Sequence, residues 1–135
     1  MKNIVRALIP FVLLTLCTGF RSDDRLKFYW GEREIVYTSG VSLTEINQPN
    51  NANKLRFVIR EDLIQEIDPQ NTQIEIDLVR GRSSVYNYRF SNIQSHTTLK
   101  IEKIYSSLRM GDTILIQFKG VEGVLPQIIG IKIKD

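Results

Sequence analysis

The sequence predicts a mainly β protein: an antiparallel β-sandwich carrying one short helix. Three observations point there. Apolar residues alternate with polar ones over several short runs, the period of strands that bury one face. Turn-forming residues separate these runs at close intervals, as in all-β folds. Only one stretch has the i, i+3, i+4, i+7 spacing of a helix. A partly open barrel of the oligonucleotide-binding type is the competing arrangement. That fold usually works through a basic groove with stacking aromatics, which needs more positive charge than the chain carries beyond its first residues.

The chain opens on what reads as an export signal. Lys2 and Arg6 give a basic start, Ala7 to Cys17 is uncharged and mostly apolar, and Thr18-Gly19 leads into polar Arg21-Ser22-Asp23-Asp24. That order of charged, apolar and small residues is the pattern of a leader, and the run falls short of the roughly 20 apolar residues of a spanning helix. Residues 1–19 are therefore expected to be removed, leaving one domain over 20–135. Small residues at the positions before the cut allow cleavage before Phe20 or before Thr18. Leu14-Thr15-Leu16-Cys17 also resembles a lipobox, so a leader ending at 16 with a lipid on Cys17 stays open, although Leu16 is larger than that pattern prefers. Cys17 is the only cysteine. The exported domain would then hold together without a disulfide.

Charge is partly a property of the leader. The whole chain has 18 Lys and Arg against 15 Asp and Glu, +3 in all. Without Lys2 and Arg6 the balance is +1, with both signs interspersed, which argues against a nucleic-acid partner. About 115 residues remain, enough for one hydrophobic core.

The strands follow in order. Leu26 to Trp30 is aromatic and strand-like, and Gly31-Glu32 can turn it into Glu34 to Thr38, rich in β-branched residues. Asn47 to Lys54 (NQPNNANK) is a loop by composition, with no large apolar side chain to anchor it. Leu55 to Ile59 is another strand. Ile74, Ile76 and Leu78 alternate with Glu75 and Asp77, then Arg80-Gly81-Arg82-Ser83 turns the chain, and Tyr86, Tyr88 and Phe90 continue the alternation. This is the clearest hairpin, and a one-residue slip would drive two carboxylates into the core. The helix is expected around Ile101, Ile104, Tyr105 and Leu108, capped by Thr97 or Thr98 and leaving through Gly111. Thr113 to Lys119 alternates again, and after Pro126 a last strand sets Ile129, Ile131 and Ile133 on one face and Lys132 and Lys134 on the other.

Chemistry-bearing residues are sparse. His96 is the only histidine, expected in the loop before the helix, and no G-x-S-x-G elbow accompanies it. No metal-ligand spacing is present, so no metal or cofactor is expected. Glu61-Asp62, Glu66 with Asp68, and Glu75 with Asp77 could supply a hydrolytic pair, but such pairs also describe solvated strand and helix faces. Gly120 to Gly123 is too short for a phosphate cradle and reads as a turn. The residues best suited to recognition are Arg80, Arg82, Tyr86 and Tyr88 around the central hairpin, because arginine and tyrosine are frequent interface anchors. Phe28-Tyr29-Trp30 reads as core rather than as a ligand platform, with partial exposure of Trp30, beside a glycine turn, left open.

The second half also resembles a known family. Ile59 to Leu63 (IREDL), Ile74 to Val79 (IEIDLV), Ser107 to Ile114 (SLRMGDTI), Ile116 to Gly120 (IQFKG) and Leu125-Pro126 to Ile133 are together similar to the C-terminal domain of the gliding-motility protein GldM, over about residues 55–134. The family's phenylalanine-rich strand and Gly-Pro-Asp-Gly turn are here replaced by isoleucines and Val121-Glu122-Gly123. The resemblance implies an immunoglobulin-like periplasmic domain from a Bacteroidetes-type bacterium, working through protein–protein contact with no catalytic residues. Residues and resemblance together lead to the expectation of a non-catalytic contact module in a bacterial envelope, partnered by envelope protein and touching membrane only through the leader or a lipid on Cys17. A small carboxylate hydrolase and a carrier of a small hydrophobic ligand are the other readings.

Overall fold

The computed structural model describes residues 24–37, 43–50, 52–126 and 128–134. The leader and Cys17 lie outside them. Among the described residues nine strands form two sheets, which is the sandwich expected from the alternation. The first sheet has the order β2 (Arg33–Ile35), β1 (Leu26–Trp30), β4 (Lys54–Ile59), β7 (His96–Lys100). The second has the order β3 (Leu43–Ile46), β9 (Ile128–Ile133), β8 (Thr113–Lys119), β5 (Gln73–Arg80), β6 (Ser83–Ser91). In immunoglobulin lettering, β1, β4 and β7 stand where A, B and E do, and β6, β5, β8 and β9 stand as C′, C, F and G.

Alternation builds both inner faces. Phe28 opposes Phe57 across β1 and β4, and their rings stack at 5.1 Å. Phe57 then meets Phe118 of the other sheet edge-on at 5.3 Å, so the layers close on one another at the centre. Ile74, Ile76 and Leu78 face Phe118, Ile116 and Ile114, and these rows continue into Ile129, Ile131 and Ile133, all three fully buried. The last strand is therefore interior, between β3 and β8.

Several details depart from the sequence expectation. β3 was not foreseen, and its pairing with β9 is parallel while the other described pairings are antiparallel. The expected helix is shorter: α2 spans Glu102–Ser107 and has no side-chain cap, because Thr97 and Thr98 belong to β7 and pair with Phe57 and Arg56 of β4. Sheet pairing there outweighs the capping that two threonines offer. The apolar stripe itself is used, with Ile101, Ile104 and Leu108 buried. A second helix, α1 (Glu61–Ile64), and a single 3-10 turn at Pro69–Asn71 connect β4 to β5, so the described chain has two short helices rather than one.

The asparagine-rich loop is anchored by its backbone. Trp30 Nε1 donates to the Ala52 carbonyl at 2.6 Å and the Tyr105 hydroxyl donates to the Pro49 carbonyl at 2.8 Å. Trp30 is buried, as the core reading of its segment expects, and the partial exposure left open beside the glycine turn does not occur. Two aromatic rings on either side of the loop supply the anchor that its own side chains lack.

Candidate functional site

The hairpin β5–β6 forms as the sequence indicates, and Gly81 takes the left-handed conformation its tip requires, at φ 63°. Its functional candidates, however, separate into two environments. Arg80, the last residue of β5, lays its guanidinium against Asp112, with Nε and Nη2 each 2.9 Å from a carboxylate oxygen. Nη2 also donates to the Ser107 carbonyl at 2.8 Å. The Asp112 side chain is 2% exposed and that of Arg80 32%. The Arg109 amide donates to the same carboxylate at 2.8 Å. The Arg80 hydrogen bonds hold the Asp112 carboxyl below the usual range against the opposing effect of burial. Arg80 thus ties the hairpin to the end of α2 and the start of β8, a structural commitment that takes it out of the contact cluster.

Arg82 stands exposed at the tip. Tyr86 and Tyr88 do come together, and Phe90 joins them. The three rings run along β6 at centroid spacings of 6.3 Å, with planes inclined by 21–23°. They project from the inner face, opposite Leu78, Ile76 and Ile74, yet stay half-buried because β6 is the last strand of its sheet. An open hollow of about 450 Å³ lies alongside, bounded by Arg89, Phe90 and Ser91 on one side and His96, Thr97 and Leu99 on the other. Phe90 carried the same alternation signal as the tyrosines, and only the position of β6 at the sheet edge, invisible in the sequence, adds it to the site.

The outer face of the hairpin is a polar network. Glu75 accepts from Lys119 Nζ at 2.5 Å and Asn87 Nδ2 at 2.8 Å, with Arg89 Nε at 3.9 Å. Asn87 also donates to Asp77 at 2.6 Å, and the Ser84 hydroxyl donates to the same oxygen at 3.2 Å. The Lys119 and Asn87 bonds hold the Glu75 carboxyl below its ordinary range. That is the opposite of what a general acid needs. Asp62, in α1, is likewise held low by Arg60, whose guanidinium bonds both of its oxygens. Asp68 accepts from the Gln70 amide and from Asn71 in its 3-10 turn. His96 opens β7 as an exposed strand residue, not in a loop as expected from the sequence.

Two further surface features stand away from the hairpin. A half-open hollow of about 540 Å³ is bordered by Trp30, Glu32, Arg33, Gln48, Pro49 and Ala52. On the outer face of the second sheet, Leu43 and Ile128 are exposed beside Gly130. Among the described residues no group of three or more His, Cys, Asp or Glu is placed to hold a metal ion, and no helix is long and apolar enough to cross a membrane. No protein-family model matches the chain, and no curated protein matches it either.

Proposed function

We propose that the chain is an exported, non-catalytic immunoglobulin-like module that makes protein–protein contact in a bacterial envelope, through the edge of the β5–β6 hairpin. The observation that carries this reading is the row Tyr86, Tyr88 and Phe90: three stacked rings, only partly buried against the core, on a strand with nothing of the described chain beyond it. Rigid aromatic side chains on an unpaired strand offer contact area and backbone hydrogen bonds at once. The leader pattern supports export, and the resemblance to the GldM C-terminal domain supports an envelope setting. Glu75 and Asp62, held ionised by their cationic neighbours, do not suit acid catalysis. The Phe57–Phe118 contact fills the place between the sheets where a hydrophobic ligand would be carried.

The test combines processing and capture. N-terminal sequencing of protein from the producing host is expected to begin at Phe20 or Thr18, or to be blocked by a lipid on Cys17; retention of Met1 in a cytosolic protein would sink the export reading. Crosslinking in the same host should attach an envelope protein. Arg82→Ala with Tyr86→Ala, which leaves the Arg80–Asp112 bond untouched, is expected to weaken that attachment at least tenfold, or ~1.4 kcal/mol, with folding retained. Unchanged capture by the folded double variant would remove this surface.

A further inference from the structure

We propose that the partner of the β6 edge is a second copy of this chain, added as an antiparallel strand centred on Tyr88, so that two five-stranded sheets continue into one. This rests on the reading of that edge as a contact surface and names what covers it.

The first argument compares the four edges. The other edge strands are short and charged: β2 has three residues including Arg33 and Glu34, β3 four including Glu45, and β7 five including Lys100. Such brevity and charge are how sheets avoid unwanted pairing. β6 is the longest strand, nine residues with Arg89 its only charge and no proline; its register with β5 shifts between Leu78 and Val79, and from Tyr86 to Ser91 it runs unbroken. Left uncovered, it would be a standing template for another strand.

The second argument is register. The order Tyr86-Asn87-Tyr88-Arg89-Phe90 is chemically self-complementary when read against itself in reverse. With Tyr88 opposite the second copy's Tyr88, each Tyr86 meets a Phe90, so all three aromatics of each strand find aromatic partners on the inner face. On the outer face each Asn87 meets an Arg89. That brings the second copy's guanidinium beside Asn87, whose amide already bonds Asp77 and Glu75, one strand away from both carboxylates. Shifting the centre to Asn87 leaves Phe90 against Ser84, and shifting it to Arg89 sets two arginines face to face. Only the Tyr88 register satisfies both faces. The two-fold arrangement also closes, limiting growth to a dimer.

The protein as its host processes it is expected to sediment as a concentration-dependent dimer. Tyr88→Lys, which would oppose two ammonium groups, should raise the dissociation constant at least tenfold while the circular dichroism of the monomer is kept. Register is read separately in a Cys17→Ser background. Directly opposed residues lie about 4.5–5.5 Å apart at Cα, within disulfide reach. Tyr88→Cys should therefore crosslink to itself under mild oxidation. Tyr86→Cys should not, since its copies would be about 14 Å apart, but should crosslink when mixed with Phe90→Cys. A protein monomeric at all concentrations, or self-crosslinking of Tyr86→Cys as ready as that of Tyr88→Cys, overturns the proposal. If the monomer still captures an envelope protein and Arg82→Ala/Tyr86→Ala abolishes this, the self-pairing falls and the contact-module reading stands.

Discussion

Asp112 shows how one side chain can look like a functional candidate's neighbour and be a fold determinant. It is buried, accepts from Arg80 and Arg109, and its backbone carbonyl accepts from Ile133 at 2.9 Å, so hairpin, helix end and last strand converge on it. Its lowered pKa makes this contribution pH-dependent: complete above the ordinary aspartate pKa of about 4, and lost as pH falls through the lower folded value. Asp112→Asn is expected to cost about 2 kcal/mol at neutral pH and to flatten the acid limb of the melting-temperature profile. Thermal melts between neutral pH and pH 2 check this; an acid limb identical to that of the unmodified protein would count against the pair. Glu75 and Asp62, also held low, would supply the acid sensitivity that persists. The sequence displayed Gly111-Asp112 as a step between helix and strand, but the partner Arg80 lies 32 residues earlier, and that separation hid the bond. Gly120 is the clearest glycine requirement: at φ 81° a Cβ there would run into the Asn71 carbonyl oxygen, so the turn legible in its composition is also a close approach of two chain segments.

Elements were legible wherever period and burial agreed. Leu26–Trp30, Thr113–Lys119 and the β5–β6 hairpin each pack one face on the core, and their alternation says so. Where tertiary pairing competes with local chemistry the sequence misleads. Lys54 pairs with Lys100 and the Ile101 amide donates to the Asn53 carbonyl, which carries β7 up to the threshold of α2 and displaces the expected cap. β3 has only four residues and one buried side chain, too little alternation to stand out before β9 supplies a partner. The aromatic row on β6 was readable as an amphipathic strand; its half-exposure follows from sheet order, which local pattern does not encode. The same logic marks β9 as the element whose integrity decides folding. Ile131 is fully buried, and aspartate there would forfeit roughly 1.5–3 kcal/mol of burial and strand a carboxylate in the core at several kcal/mol more. Against the ~5–15 kcal/mol of a typical domain, Ile131→Asp is expected to abolish cooperative melting, whereas Lys132→Asp on the outer face should leave it. Cooperative melting of Ile131→Asp near the original temperature would show that β9 is dispensable.

At the scale of the whole molecule, the sandwich is an assembly of distant segments. β5 pairs with β8 some forty residues on, and Leu43 of β3 pairs with Gly130 of β9 roughly ninety residues on. β9 is the last described strand in the chain and lies inside the sheet, with β8 on one side and β3 on the other. Until Ile128–Ile133 arrives, β3 has no strand to pair with, and the inner face of β8 lacks the isoleucines that flank it. Completion of the second sheet therefore waits on Ile128–Ile133, a late and non-local step in a chain that emerges N-terminus first. For the export proposed above, late closure of that sheet keeps the chain threadable while it is being made. Nascent chains arrested before Ile128 is exposed are expected to be cut readily by protease, and those with Lys134 exposed to resist it; early resistance would mean that a sheet closes without its final strand.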